Sequence, residues 1–325
     1  MKEINPGKVG PERVKEIMDF WAENGDVETL KVFDLKHQTL DRYKRDHKKF
    51  TGEKIDQRRD KLLNDIGDKY TDEELKLLAK GSKAMKIGKK VVIDREGEEF
   101  RIGHITDTHI GSKYFNEDFL FDAFKRCSSE GVDFIAHSGD VCEGMSHRRG
   151  HVFECSEIGF RDQKNKAVDL LSRWTGKMYL IDGNHDRWFT QASGAWIVED
   201  ITQELPDAEF LGEDEGDIFL NNCHIKLWHG LDGSSYATSY RLQKVVEAFT
   251  GGEKPQVLLT GHTHKQAYIF ERNIHVVSGG AICMQTKWMR GKRLANHTGF
   301  HIITMTINKK GEVTRFSPEF FPFYS

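Results

Sequence analysis

Five short apolar runs in this 325-residue chain each end directly in a compact polar cluster. The runs are EFRIGHIT, VDFIAHS, KMYLID, CHIKLW and QVLLT, and helical stretches such as EDFLFDAFKRCSSEG separate several of them. Runs of this length alternating with helices indicate buried strands in an α/β domain, where ligands bind beyond the carboxyl ends of the strands. The polar clusters are therefore predicted to converge on one crevice. Near the C-terminus, YIFERNIHVVSGG and GFHIITMTINKKGEVTRF predict antiparallel strands that close a second sheet.

The five clusters carry side chains of the kinds that hold metal ions. Together they supply two Asp, one Asn and four His: Asp107, His109, Asp140, Asn184, His229, His262 and His264. A mixed imidazole and carboxylate set suits Mn, Fe or Zn better than Mg or Ca alone. Seven ligands are too many for one ion, which binds about four to six, but they suit two ions that share a carboxylate. Enzymes that catalyse displacement at phosphorus commonly use such a pair of ions. Any one of these motifs can arise by chance or have a purely structural role. Five such motifs in this order, each of them after a predicted strand, indicate a metal centre.

The order D-x-H, G-D-x-x-E, G-N-H-D, His-Gly and G-H-T-H resembles the calcineurin-like metallophosphoesterase superfamily from about Phe100 onward. The resemblance implies an α/β fold in which a two-sheet sandwich is flanked by helices. It also implies two divalent metal ions, with Asp140 as the ligand that bridges them. The first ion is assigned to Asp107, His109, Asp140 and His264, and the second to Asp140, Asn184, His229 and His262.

The same resemblance implies hydrolysis of a phosphate ester. A water shared by the two ions loses a proton near neutral pH and attacks the phosphorus in line, while the ions neutralise phosphoryl oxygens. The leaving oxygen then needs a proton, and His185, next to Asn184 in IDGNHDRW, is the predicted general acid. Two roles are open for Asp186: it orients the imidazole of His185, or it caps the helix that follows.

The final residue of G-N-H-D separates this chain from the Ser/Thr protein phosphatases, whose motif resembles G-N-H-E. The segment HITDTHIGSKYFNEDFLFDAF, followed by EGVDFIAHSGD, is similar to the Mre11/SbcD nucleases. That similarity implies a phosphodiesterase that acts on DNA with manganese, and Fe, Zn or Mg are the alternative ions. Glu143 stands where those nucleases carry His, so whether it repels a DNA phosphate or has a different role stays open.

Residues 1–90 predict a small all-α domain ahead of the phosphoesterase domain at residues 91–325. PERVKEIMDFWAEN predicts a helix with one apolar face, and Gly25 is predicted to end that helix. The segment that follows resembles a helix-turn-helix unit, with Asp34 at the position in the turn where Gly is usual. The domain carries 22 Lys and Arg against 18 Asp and Glu. The basic face of the second predicted helix indicates contact with nucleic acid. The alternative is that this charged face is simply exposed to solvent. The predicted contact residues are Arg42, Lys44, Arg45, Lys48 and Lys49.

Two insertions are predicted to flank the crevice. EGMSHRRGHVFECSEIGFRDQKNK follows the second motif, and KWMRGKRLANHTGFH lies closer to the C-terminus. Basic groups interleaved with aromatic residues suit a single strand or a nucleotide, although solvated loops are the alternative. The predicted substrate contacts are Arg148, Arg149, Arg290 and Arg293.

The chain has no uncharged apolar run near the roughly 18 residues of a membrane span, and its N-terminus lacks the apolar core of a signal peptide. We therefore expect a cytoplasmic protein without a membrane partner. Its five scattered cysteines indicate reduced thiols. The leading hypothesis is a dinuclear-metal-dependent phosphodiesterase or nuclease that hydrolyses DNA. Two alternatives stay open: a phosphatase or phosphodiesterase for a phosphoprotein, nucleotide or other small ester, and a DNA-binding regulator or adaptor with a vestigial hydrolase domain.

Overall fold

The computed structural model describes residues 11–51, 89–231, 237–250 and 254–324. The chain divides into two compact units, Met1–Ala84 and Met85–Ser325. Across the described ranges, no helix combines the length and the apolar character that a bilayer crossing requires. All five cysteines lie within these ranges, buried and as free thiols.

The described part of the smaller unit consists of two helices around a small apolar core. Helix α1 (Pro11–Val32) is interrupted at Gly25, whose φ of 73° and ψ of −177° are not helical. Helix α2 (His37–Thr51) follows after a short turn. Apolar residues spaced three or four apart place one face of each helix against the other. The core contains Ile17, Met18, Leu40 and Tyr43, with Val14, Trp21, Leu30, Phe33 and Leu35 packed against them.

The turn between α1 and α2 places Asp34 in the left-handed region, with a φ of 49°. Asp tolerates this region better than most residues because its short polar side chain can bond locally. The N–H of Leu35 donates to the carbonyl oxygen of Leu30 at 3.0 Å, and its side chain packs on the helical core. Asp34 thus has the backbone geometry that glycine usually provides at such a turn.

Within the described residues, the larger unit is a sandwich of two six-stranded mixed sheets flanked by helices, which confirms the predicted fold. The strands are β1 (Lys90–Ile93), β2 (Glu99–Ile105), β3 (Phe134–Ser138), β4 (Lys177–Ile181), β5 (Ala208–Gly212), β6 (Glu215–Leu220), β7 (Cys223–Trp228), β8 (Val257–Thr260), β9 (Ala267–Glu271), β10 (Ile274–Ser278), β11 (Gly299–Ile307) and β12 (Val313–Pro322). The helices are α3 (Glu117–Ser129), α4 (Phe160–Leu171), α5 (Arg187–Ser193), α6 (Ile197–Glu204), α7 (Thr238–Ala248) and α8 (Lys287–Gly291), with a 3₁₀ turn at His151–Glu154.

The first sheet has the strand order β12-β11-β2-β3-β4-β5, in which β2 to β5 are parallel. The second sheet has the order β1-β6-β7-β8-β10-β9, in which β7, β8 and β10 are parallel. The inner faces pack together through Ile102 and Phe134 of the first sheet and Ile225 and Leu259 of the second. Helices α3, α4 and α6 cover the outer face of the first sheet, and α7 covers the second. Each fully buried apolar side chain contributes about 1.5–3 kcal/mol to this sandwich.

The two C-terminal hairpins do not share a sheet. Strands β9 and β10 extend the second sheet beside β8, whereas β11 and β12 extend the first sheet beside β2. The prediction that both hairpins close one second sheet is therefore wrong. Alternation of apolar and polar residues determines which face of a strand is buried, but it does not specify the neighbouring strand.

All five polar clusters follow the carboxyl ends of strands, as predicted. The clusters of Asp107, Asp140 and Asn184 follow β2, β3 and β4 of the first sheet. Those of His229 and His262 follow β7 and β8 of the second sheet. Because strands within each of these two groups are parallel, their ends meet at one edge of the sandwich. Both sheets therefore contribute loops to the same site.

Candidate metal centre and substrate cleft

Most of the predicted metal ligands have a left-handed backbone, which non-glycine residues rarely adopt. The φ angles are 51° at Asp107, 51° at His109, 53° at Asp140, 77° at His262 and 55° at His264. Each such residue costs about 1–3 kcal/mol and persists only where the surroundings hold it, a property that is frequent at functional sites. The loops also approach closely, because a Cβ atom at Gly183 would lie 2.2 Å from Asp140 Oδ1.

The first ligand cluster consists of Asp107, His109 and His264. The Nε2 atoms of the two histidines lie 3.1 Å apart. Asp107 Oδ1 lies 3.3 Å from His264 Nε2 and 3.9 Å from His109 Nε2. Donor atoms separated by about 3–4 Å can share one ion that binds each of them at about 2.0–2.3 Å. The three side chains are therefore arranged to hold one divalent cation.

The second cluster consists of Asp140, His229 and His262, with Asn184 beside them. Asp140 Oδ2 lies 3.1 Å from His229 Nε2, and Asn184 Oδ1 lies 3.2 Å from the same nitrogen. Asn184 Oδ1 is also 2.8 Å from His262 Nδ1. Asp140 Oδ2 is 3.8 Å from His109 Nε2 of the first cluster, so this carboxylate lies between the two sets of donors.

Three of the histidines are oriented by a bond at the ring nitrogen that faces away from the cluster. His109 Nδ1 bonds to Glu143 Oε2 at 3.0 Å, and His229 Nδ1 bonds to the carbonyl oxygen of Ser138 at 2.7 Å. His264 Nδ1 bonds to Asn296 Oδ1 at 2.8 Å. These bonds favour a proton on Nδ1, so that loss of the Nε2 proton would leave a lone pair directed at the cluster, which is the usual state of a metal-binding histidine. The donor set therefore fits two divalent cations.

The charge of the site also favours cations. Asp107, Asp140 and Glu143 are only 0%, 2% and 3% exposed. Burial opposes their ionisation, yet the surrounding histidines hold the pKa of each carboxyl below its usual range. Burial also opposes protonation of His109 and His229, but Glu143 and Asp140 respectively raise the pKa of these two rings to about 9. Buried carboxylates in such numbers require positive charge nearby.

His185 lies against the first cluster, close enough to His109 and Asp140 to share an ion with them, so its role as a group other than a ligand stays a prediction. Its ring packs perpendicular to His109 with centroids 4.4 Å apart, and tilted on Trp188 at 4.0 Å. Its Nδ1 bonds to the carbonyl oxygen of Glu143 at 2.8 Å, which leaves Nε2 as the remaining polar atom of the ring. Burial lowers the pKa of His185 to about 4, so the ring is neutral at pH 7.

Asp186 has neither of the two roles considered from the sequence. Its carboxylate accepts the backbone N–H groups of Val141 at 3.0 Å, Cys142 at 2.8 Å and Gly183 at 2.9 Å. It makes no capping bond at the start of α5. The bond to His185 Nδ1 comes from the Glu143 carbonyl group instead. Asp186 therefore fastens together the loops that follow β3 and β4, and its assignment as a catalytic residue is corrected.

Glu143 and His151 extend the site in a way that the sequence did not reveal. Glu143 Oε2 binds His109, and Glu143 Oε1 accepts from His151 Nε2 at 2.8 Å. His151 comes from the first insertion and is 1% exposed. The carboxylate of Glu143 is buried and bonded to both rings, so Glu143 orients His109. No local signal distinguishes His151 from the solvated histidines of an exposed loop.

A cleft of about 540 Å³ opens from the two clusters. Its walls carry Arg148 of the first insertion and Lys292 of the second. The other three predicted substrate contacts lie outside the lining of the cleft, exposed on the same two segments: Arg149, Arg290 and Arg293. Aromatic and apolar side chains that the sequence prediction left out line much of the remainder: Trp188, Trp288, Met289 and Leu294.

The predicted nucleic-acid contacts of α2 have different surroundings. Lys44 Nζ bonds to Asp26 Oδ1 at 2.6 Å and lies 4.5 Å from the ring centre of Trp21. The side chain of Lys44 is only 10% exposed and packs between the two helices. The prediction that Lys44 contacts a phosphate is therefore wrong. Arg42 is exposed. The side chains of Arg45, Lys48 and Lys49 lie outside the described residues.

Comparison with known proteins identifies the family of this chain. Residues 100–266, more than half of the chain, match the sequence profile of the family described as calcineurin-like phosphoesterase. A relative from Methanothermobacter thermautotrophicus, the DNA polymerase II small subunit, is 24% identical over 244 residues, covering 61% of this chain and 50% of the relative. The chain thus spans about half the length of that relative.

Two solved structures are also similar to this chain. One is described as a novel archaeal phosphodiesterase, with a TM-score of 0.41, 15% identity, and coverage of 68% of this chain and 100% of that one. The other is zinc-bound Vps29 from Entamoeba histolytica, with a TM-score of 0.36, 14% identity, and coverage of 69% and 100%. On the extent of the family match, this chain belongs to the calcineurin-like phosphoesterase family.

Proposed function

We propose that this chain is a phosphodiesterase that cleaves nucleic acid, with DNA as its substrate and Mn²⁺ as its ion. The observation that carries the proposal is the cleft beside the two ligand clusters. It has a volume of about 540 Å³ and walls that combine basic and aromatic side chains. A phosphomonoester needs room for a substituent on one side of phosphorus only, whereas a diester needs room on both. Basic and aromatic groups together suit a nucleotide chain.

The relative from Methanothermobacter thermautotrophicus adds support for a nucleic-acid substrate. Its name describes a subunit of a DNA polymerase, and the alignment covers 61% of this chain. Phosphoesterase chemistry next to DNA synthesis implies a phosphodiester of DNA as the bond that is cut. The alignment is independent of the cleft, since it extends over 244 residues.

The residues of this chain would act on such a substrate in distinct ways. When bound, two divalent cations supply a nucleophilic water at neutral pH and neutralise charge on the phosphoryl oxygens. Asp140 would lie between the ions, and Glu143 would hold His109 in its binding orientation. His185 Nε2 would deliver a proton to the leaving oxygen. Burial keeps the pKa of His185 near 4, so the ring has to gain its proton when the substrate binds. The negative charge of the entering phosphate favours the protonated imidazole.

The helical unit is proposed to contact the DNA backbone in the manner of a helix-turn-helix-like domain. The turn at Asp34 and the exposed position of Arg42 on α2 support this role. Lys44 is excluded from it because of its pairing with Asp26. Contacts to phosphates make binding dependent on salt concentration. Deletion of residues 1–84, which leaves β1 intact, should therefore reduce that dependence for DNA while hydrolysis of a small diester continues.

The test is an assay of the full chain with Mn²⁺ on single-stranded DNA, double-stranded DNA, a phosphopeptide and 4-nitrophenyl phosphate. We expect cleavage of DNA in at least one form, and loss of that cleavage when EDTA removes the ions. Rapid turnover of the monoester or phosphopeptide without DNA cleavage would replace the proposal with a phosphatase. Absence of all hydrolysis with both ions bound would indicate a regulator that has lost its activity.

A further inference from the structure

We propose that Trp288 forms a subsite for one unstacked nucleobase of the substrate, beside the metal centre; this inference rests on the proposed function. Trp288 lies on α8, lines the cleft and is 45% exposed. Met289 and Leu294 line the same wall. A large aromatic ring that is half open to solvent within a concave site offers a flat apolar surface to a ligand.

The segment that carries Trp288 is fastened to the metal centre. Asn296 Oδ1 bonds to His264 Nδ1 at 2.8 Å, and Asn296 Nδ2 donates to the carbonyl oxygen of Cys283 at 3.1 Å. The backbone N–H of His297 donates to the carbonyl oxygen of His264 at 2.8 Å. These bonds keep the second insertion in register with a predicted metal ligand. A base on Trp288 would therefore be held at a fixed distance from the scissile phosphate.

The short helix that carries the indole is also held locally. Thr286 Oγ1 accepts the backbone N–H of Met289 at 3.1 Å, which caps the N-terminus of α8. Gln285 Nε2 donates to the carbonyl oxygen of Leu294 at 2.8 Å and closes the far end of the segment. Lys292 Nζ lies 5.3 Å from the ring centre of Trp288. A cation beside an aromatic surface is the combination that binds a phosphate and its base together.

The first insertion and helix α5 add a second basic and aromatic pair to the lining of the same cleft. Trp188 lines the cleft and packs against His185 with ring centres 4.0 Å apart. Arg148 also lines the cleft, and its guanidinium donates to Glu154 Oε2 at 2.8 Å. Two indoles and two cations thus border one cavity, next to the reacting groups. Positive charges and aromatic rings occur together in this cleft. This combination is expected of a site that binds a nucleotide, whereas an aliphatic phosphate ester would have no base to contact the rings.

The subsite predicts which form of nucleic acid binds. A base inside a duplex has both faces covered by its neighbours, so only an unpaired or extruded base can stack on a side chain. The proposed substrate is therefore a single strand, or a strand end or damaged position at which a base leaves the stack. The cavity volume of about 540 Å³ is suited to one nucleotide and its neighbouring phosphate.

The experiment compares two diesters with the same leaving group, thymidine 5′-(4-nitrophenyl phosphate) and methyl 4-nitrophenyl phosphate, on the full chain with Mn²⁺. Any stacking of the nitrophenyl ring is common to both, so the ratio of their kcat/KM values isolates the nucleoside. In Trp288→Ala this ratio should fall about 5- to 100-fold, the effect of removing one base-stacking ring. Trp288→Phe should restore most of it. Tyr240→Ala, which removes an exposed ring outside the cleft, is the matched control.

A second measurement avoids turnover altogether. Fluorescence anisotropy of a labelled oligothymidylate in EDTA should reveal weaker binding to Trp288→Ala than to the wild type, and no such difference for an oligomer of abasic sites. An unchanged ratio of the two diesters in Trp288→Ala, with DNA still cleaved by the wild type, would overturn the subsite alone. Hydrolysis of the methyl diester by the wild type, without cleavage of any nucleotide substrate, would overturn the proposed function instead.

Discussion

The floor of the site and its rim are built in different ways. The floor consists of the five loops that follow β2, β3, β4, β7 and β8, and its carboxylates and histidines are mostly buried. The rim consists of the two insertions, whose Arg148, Trp288 and Lys292 are exposed at the cleft. The framework of the two sheets determines the floor, whereas the rim depends on the insertions. We expect changes to the floor to remove chemistry and changes to the rim to alter substrate preference.

The largest effect is expected from Asp140→Asn, because the carboxylate of Asp140 lies between the two ligand clusters. Loss of its charge should lower kcat/KM for any diester at least about 1,000-fold, or about 4 kcal/mol in activation free energy. Calorimetric titration should detect fewer than two bound Mn²⁺ ions per chain. If the variant keeps full activity and binds two ions, then neither ion binding nor catalysis depends on the charge of Asp140.

His185→Ala separates proton transfer from ion binding within the floor. We expect about a 100-fold loss of kcat on DNA, whose leaving alkoxide needs a proton, and unchanged Mn²⁺ stoichiometry. The loss should be much smaller on bis(4-nitrophenyl) phosphate, because nitrophenolate leaves without protonation. Equal losses on both substrates would contradict the assignment of His185 as the proton donor. Loss of an ion would instead identify it as a ligand.

Glu143→Gln tests the bond that orients His109. The amide retains the shape of the side chain but loses the charge that favours the Nδ1 proton, so Mn²⁺ affinity should fall about 10- to 100-fold. Glu154→Gln, on the same insertion but paired with Arg148, is the control. Calorimetry on both variants makes the comparison. If the two variants bind Mn²⁺ equally well, Glu143 has no part in holding the ligand.

The pH dependence of ion binding follows from the raised pKa values of His109 and His229. In the metal-free protein both rings have a pKa of about 9, above the usual 6.5, so their protonation stabilises the folded chain fully below about pH 6.5. That contribution is lost as pH rises through 9. An ion needs the unprotonated nitrogen, so Mn²⁺ affinity should rise from pH 6.5 to 9 with release of about one to two protons. Titrations in buffers with different ionisation heats measure that release, and constant affinity across this window would contradict it.

The smallest effect is expected at the rim. Arg148→Ala should raise KM for DNA about 2- to 5-fold, the size of one partly exposed charge interaction, and leave kcat nearly unchanged. Arg149→Ala removes an equal charge outside the cleft lining and serves as the control. Steady-state kinetics at two salt concentrations would compare them. A larger effect of Arg149 would place the DNA on a surface other than the cleft.

The floor was predictable because its signals are local. Each predicted ligand, such as Asp107 or His264, lies within a few residues of the end of a strand whose apolar run is visible in the sequence, and the order of the motifs supplies the rest. The left-handed backbone at these positions was not foreseen. It results from contacts between loops that are distant in the chain, as in the bond from the His109 N–H to the Asp140 carbonyl oxygen at 3.0 Å.

The errors came from long-range contacts. Asp186 bonds to the N–H groups of Val141 and Cys142 from a separate loop, and Lys44 bonds to Asp26 on the neighbouring helix. Neither partner can be read from the residues on either side. The bond between Glu143 and His151 likewise requires the insertion to fold back over the cluster. Spacing along the chain therefore predicted which side chains cluster, but not the groups that hold them.

The central claim is that the floor holds two divalent cations with Asp140 between them. Crystals of the full chain grown with Mn²⁺ and measured at the manganese absorption edge test it most directly. We expect two anomalous peaks about 3.5–4 Å apart, one beside Asp107, His109 and His264 and the other beside Asn184, His229 and His262. A single peak, or peaks remote from Asp140, would contradict the account.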